Sequence, residues 1–419
     1  MTRKESEGKS SEELYQEREK RTADAIQLKV PDRVPISLRL SYFPAKYCSI
    51  TTEAAYYDAA RWKQASRKLV VDLEPDTYSS STGNTSGLAL EALDAWQIKW
   101  PGHGVSPYHS HQLLEMEVMK EDEYDAFLGD PSDFIIRTYL PRIWGTMAPL
   151  ARLPSLKSLI GNSSLAMFAG QMATPEFSAV FDALQKAATA SANWQSEMAS
   201  FASDMAELGF PSTTALGAGA PFDVISDNLR GMQGTMIDMY RRPDKLLQAC
   251  EMLVPMSIER AAAAKYTRNN RVFMALHRGS DGFMSLKQFE TFYWPTLKKV
   301  ILALVDMGLT PCPFFEGIYD SRLEYLLELP KGKVLCHFAQ TNMFRAKQIL
   351  GGHLCIMGDV PSSLLQVASV QEVEEYCKKL IDVCGKDGGF ILTHMPIDEA
   401  KSENVKAMVD FTKSYGIYN

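Results

Sequence analysis

Short apolar runs alternate with longer segments of helical period along the second half of the chain. Residues 309–315, 333–338, 353–357 and 389–392 are each of strand length, and each ends on a polar or glycine-containing turn. Between them lie the helix-sized segments 321–329, 343–350 and 370–383. Strand, helix, strand, helix at this spacing predicts βα units around a parallel sheet. The pattern extends toward the N-terminus. Residues 31–40 read as a first strand entered through two prolines, 72–81 as a second strand end and its loop, and 212–219 and 271–277 as two more. Helical spacing covers residues 52–71, 174–208, 243–265, 286–307 and 402–415.

Seven or eight strands alternating with helices predict an α/β fold, a single (β/α)8 TIM barrel over residues 29–419. A charged extension over residues 1–28 precedes it, read as a solvated helix or tail. Residues 82–172, rich in aromatics, Pro and Gly, read as an irregular, partly helical elaboration of the same domain. The rival is an open doubly wound sheet. No GxGxxG or GxxxxGK[ST] follows any strand, so its dinucleotide and P-loop versions have no support.

In a parallel α/β fold the site lies at the carboxyl ends of the strands. The residues expected there are chemically loaded: Glu316, His337, Asp359 and His394, with His277 closing an earlier strand. Glu316, His337, Asp359 and His277 are therefore the catalytic candidates. The bland alternative is that each is a satisfied polar residue at a strand end. His109 and His111 would share one side if their segment were extended. Phe222, Phe314 and Tyr319 are expected to line an apolar pocket, and Arg230 to pair a substrate carboxylate or make a structural ion pair. Such a pocket suits a small aromatic or methylated ligand, or a quaternary ammonium. Cys336, the neighbour of His337 on a strand, should point away from the site.

The totals narrow the partners. The net charge of −7 offers no basic field for nucleic acid. No apolar run approaches the roughly 20 residues needed to cross a bilayer, and the charged N-terminal stretch does not read as a secretory signal. Seven scattered cysteines without a CxxC pair suit a reducing cytoplasm. A homodimer is the default assembly expected.

The phrases GAPFDVISDNLRGMQGTMIDMYRRPDKL, FFEGIYDSRLEYL, HLCIMGDVPSSLL and GKDGGFIL resemble the uroporphyrinogen decarboxylase superfamily, well over residues 200–415 and loosely over 30–200. The resemblance implies a (β/α)8 barrel with one of two chemistries. One is cofactor-free decarboxylation of a porphyrinogen. The other is methyl transfer to or from a corrinoid or a thiol with a bound zinc ion. The decarboxylase branch carries an early R-x-P-G-R pattern, whereas this chain reads Pro31-Asp32-Arg33-Val34-Pro35 and on to Arg39. The methyltransferase branch carries His-x-Cys-Gly and a late Cys. Here Glu316 and His394 stand in those cysteine positions, with His337 on the strand between. The expectation is a metal-assisted methyltransferase acting on a small O-, N- or S-methyl compound, with a corrinoid protein or a thiol as acceptor. Glu316, His337 and His394 would hold zinc, which accepts imidazole and carboxylate ligands. The alternatives are a metal-free decarboxylase or lyase of a small acid, and a non-catalytic ligand-binding barrel.

Overall fold

The computed structural model describes residues 8–81 and 85–418. The start of the expected extension and the first residues of the expected elaboration lie outside this range. Eight parallel strands form the centre: β1 (Ser37–Ser41), β2 (Thr77–Ser81), β3 (Leu216–Gly219), β4 (Arg271–Leu276), β5 (Thr310–Phe315), β6 (Leu335–Phe338), β7 (Cys355–Val360) and β8 (Phe390–His394). Strands β3 to β8 pair in sequence order as one sheet, and β1 pairs with β2. Two further contacts close the circle. Ile36 bridges Leu392 in parallel, with the Leu392 N–H donating to Pro35 at 2.9 Å. Tyr78 bridges Ser212 in parallel, and the Thr213 N–H donates to the Tyr78 carbonyl at 2.7 Å. The ring is the expected (β/α)8 barrel, and closure leaves its backbone no free edge.

Alternation along the strands sorts the side chains. Leu38 and Leu40 pack outward in the main core with Ile36, while Ser37 and Arg39 line a cavity within the barrel. Cys336 packs outward and His337 inward, as alternation predicts. The helices start where their caps dictate. Asp58 accepts the Arg61 N–H and begins the helix Ala59–Leu73, which splits the continuous helix expected there. Thr174 caps the long helix Pro175–Glu207, and Ser369 and Glu372 form a reciprocal capping box on the helix Val370–Leu380. Residues expected as a helix at 321–329 instead form a 3-10 helix, Asp320–Glu328.

The N-terminal extension is a helix, but not a solvated one. Ser11–Ile26 starts on a capping box and buries Arg18 and Arg21. Its end, Ala25 and Ile26, packs with Leu335, Cys355, Met357 and Ile391, plugging the N-terminal mouth of the barrel. The elaboration after β2 contains short helices and a small three-stranded sheet. It is fastened near the end of β1: the Ser110 hydroxyl donates to Asp398 at 2.7 Å, and Asp398 accepts the Tyr42 N–H at 2.9 Å.

Candidate functional site

Two polar groups stand inside the barrel without partners among the described residues. One is Arg39 Nη1, from β1, and the other is His337 Nε2, from β6. Both side chains lie against Phe314 of β5. The Arg39 guanidinium sits over its ring, 4.4 Å from the centroid, and the His337 ring centroid is 4.5 Å away. They share a cavity of about 30 Å³ with Ser37, Ser79, Thr213 and Cys312. Burial, reinforced by Arg39 and His394, holds the His337 imidazole well below its usual pKa, so it is neutral. A buried donor left bare is costly and uncommon in a folded protein. A ligand with an anionic head would satisfy both groups together.

A second cluster forms the rim. The π-helical turn Ile225–Arg230 follows directly on Pro221–Val224, and it brings Asp223 and Asp227 to the end of β4. Asp227 holds His277 Nδ1 at 2.6 Å, and His277 Nε2 lies 3.4 Å from Glu316. The hydrogen bond to Asp227 pushes the His277 pKa up to about 9, against the effect of burial. His277 is therefore an imidazolium at neutral pH. Asp223 is buried and accepts the N–H groups of His277 and Arg278 at 2.9 and 3.0 Å and the Tyr293 hydroxyl at 2.7 Å. Burial and the neighbouring Asp227 push its pKa up to about 6. Asp223 thus positions the loop that carries His277.

The expected metal set does not assemble. Glu316 turns to His277 with 55% of its side chain exposed. His394 has both nitrogens committed: Nδ1 donates to the Met395 carbonyl at 2.7 Å, and Nε2 accepts the Arg39 N–H at 3.2 Å. It has no lone pair free for an ion. Burial holds the His394 pKa down to about 4. Among the described residues no group of three or more His, Cys, Asp or Glu is arranged to hold a metal. The residues present do not fit zinc.

Other candidates have different places. Arg230 is buried and saturated, with Asp238 at 2.6 Å, Glu117 at 2.6 Å and the Met119 carbonyl at 2.5 Å, so it is a structural ion pair. Phe222 is a core side chain packed edge-on against Tyr293. Tyr319 is also core, its hydroxyl on the Leu276 carbonyl at 3.2 Å. His109 is exposed in a turn, its N–H donating to the Ser106 carbonyl at 3.1 Å, and not in the extended segment expected. His111 bonds the Tyr42 hydroxyl at 2.7 Å and latches the elaboration. Asp359 lines a separate cavity and bonds no histidine. Asp227 was missed by the sequence reading. Its signal was the i, i+4 spacing from Asp223, which puts two carboxylates on one face of a helical turn.

Arg33, Arg39 and Arg230 do not converge. Arg33 is buried against Asp76 ahead of β1, Arg230 is tied to Asp238, and Arg39 is inside the barrel. No curated protein matches this chain. Among solved structures, a methyltransferase from Methanosarcina mazei shares the fold with a TM-score of 0.57 and 14% identity, covering 95% of this chain and 98% of the other. The family model described as uroporphyrinogen decarboxylase (URO-D) matches residues 182–415, the part that supplies six of the eight barrel strands and both His277 and His337. The chain belongs to the uroporphyrinogen decarboxylase (URO-D) family.

Proposed function

We propose that the chain is a methyltransferase acting on a small methylated compound with one anionic group, and that the methyl acceptor comes from outside the chain. The observation that carries this reading is the single unpaired guanidinium nitrogen beside an unpaired neutral imidazole, against an aromatic ring, in a space of about 30 Å³. That space has room for a carboxylate-sized head, with the rest of the ligand outside it. It does not suit a macrocycle with many carboxylates, which would need several arginines. The similarity in fold to a methyltransferase supports the same reading.

The rim supplies acid chemistry. As an acceptor's electron pair takes the methyl carbon, the bond from that carbon to its oxygen, nitrogen or sulfur breaks. The pair stays on the leaving atom, and His277 Nε2 hands it a proton. Asp227 stabilises the imidazolium before transfer and keeps Nδ1 protonated. The chain's own cysteines are poor acceptors, because burial pushes all seven thiols up. An exogenous thiol or the corrinoid of a partner protein would supply the nucleophile when docked.

The test is to incubate the protein anoxically with cob(I)alamin, or with dithiothreitol, and a panel of methoxybenzoates, N-methyl amino acids and methylthio acids. Methylated acceptor, read by mass spectrometry from the acids and not from their esters, is the expected result. Release of carbon dioxide without acceptor methylation would replace this reading with a decarboxylase. Neither product from any acid would remove both.

A further inference from the structure

We propose that a second ligand site lies in the cavity between the loops that follow β6 and β7, and that it takes a small organic cation bearing an ammonium group. The cavity measures about 580 Å³ and is lined by Asp359 and Asp320, with Thr341, Ser362, Ser363 and Tyr376 among its walls. Asp359 is only 8% exposed, yet its Oδ1 has no hydrogen-bond partner among the described residues. Buried carboxylate oxygens in folded proteins are nearly always satisfied, so a bare one calls for a reason.

Three of the polar neighbours are engaged within the chain. Asp320 accepts the Asn342 N–H at 3.1 Å, Thr341 accepts the Tyr319 N–H at 3.0 Å, and the Ser362 hydroxyl donates to the Pro396 carbonyl at 2.7 Å. Among the residues lining the cavity, Asp359 is the one with a buried side-chain atom that has no partner among the described residues. No lysine or arginine is among the residues lining the cavity. Lys379 lies over the outer ring of Phe344, 4.6 Å from its centroid, and is not part of the lining. Burial pushes the Asp359 carboxyl up to about 7, so an arriving cation would meet an acid poised to ionise.

The chemistry follows from the charges. Two carboxylates and no base favour a positive ligand, and the ring of Tyr376 offers a face for its organic part. The volume is far more than a single water needs and has room for an organic ligand. The cavity shares no lining residue with the one holding Arg39 and His337. The two sites select opposite charges, so this inference stands apart from the methyl-transfer reading.

The experiment is titration calorimetry and thermal shift on the full chain with benzylamine, benzyl alcohol and benzoate at pH 8. Benzylamine should bind saturably and raise the melting temperature. Asp359→Asn, which keeps the shape and removes the charge, should weaken that binding tenfold or more. Ser363→Trp fills the cavity from an exposed position and should abolish it, so it decides the matter if the Asp359 variant does not fold. Benzyl alcohol binding as well as benzylamine would overturn the proposal. So would benzylamine binding unchanged by both variants, or no saturable binding to the unaltered protein.

Discussion

The two ends of the barrel treat buried charge in opposite ways. At the N-terminal end the charges around Asp76 and Arg271 are matched. Asp76, fully buried, accepts from Arg33 at 2.7 and 2.9 Å, from Arg21, and from the Ile36 N–H at 2.8 Å. These partners hold its carboxyl far below the usual carboxylate range despite burial. Arg271, at the start of β4, is held by Glu19 of the N-terminal helix at 2.8 Å. At the other end Arg39, His337 and Asp359 each keep a buried polar atom without a partner. The first end spends its ionic groups on order, and the second keeps them for something that is not part of the chain. The difference is the division of labour expected of a barrel, with stability at the bottom and chemistry at the top.

The largest effect should come from the matched end. Asp76→Asn removes the buried charge that Arg33 and Arg21 share, so unfolding in urea should show a loss of about 3–5 kcal/mol, with turnover per folded molecule unchanged. A loss under about 1 kcal/mol would mean that the network does not hold the two strands and the N-terminal helix together. The unmatched end should respond the other way. Arg39→Met keeps the stem over Phe314 and removes the charge. Stability should hold or rise, while KM for an anionic substrate climbs about 30-fold or more, the scale of one lost buried charge contact. His337→Ala should cut activity in the same way and leave the zinc content of protein purified without chelator unchanged. Zinc that is present in the unaltered protein and leaves with the imidazole would restore a ligand role for His337.

Two weaker tests use pH. The His277 imidazolium exists below its folded pKa of about 9, so the acid-dependent rate should decline as pH rises through that value. Asp227→Asn removes the group that raises it, and the decline should move down by about one unit or more. A profile that does not move would separate Asp227 from the chemistry. Asp359 should give the smallest signal. Its folded pKa, about 7, lies above its ordinary 3.8. Its contribution is therefore fully present below pH 3.8 and lost as pH rises through 7. Asp359→Asn should then raise the melting temperature at pH 8 by about 2 °C, with the gain vanishing near pH 4. An equal gain at both values would point to packing instead of charge.

Much of this was legible along the chain. The eight strands, the inward turn of His337, the outward turn of Cys336 and the rim position of His277 all follow from period-two alternation and from the rule that parallel strands end at the site. The boundaries of β7 were read short, so Asp359 fell just past a strand that in fact includes it. The metal set failed for a specific reason. Ring position places His394 at a strand end, but it does not say that the Arg39 N–H and the Met395 carbonyl will take both of its nitrogens. For Arg230 the structure selects the ion pair over the substrate carboxylate, with partners Glu117 and Met119 that come from a segment more than a hundred residues away.

Local patterns determined the elements, their order and the barrel, because hydrophobic period and capping act over a few residues. Which polar groups are satisfied was decided only in three dimensions. A hydrogen bond is short and directional, and its partner can come from any part of the chain. Arg33 and Arg39, six positions apart in sequence, therefore end as a saturated ion pair at one end of the barrel and an unpaired donor inside it.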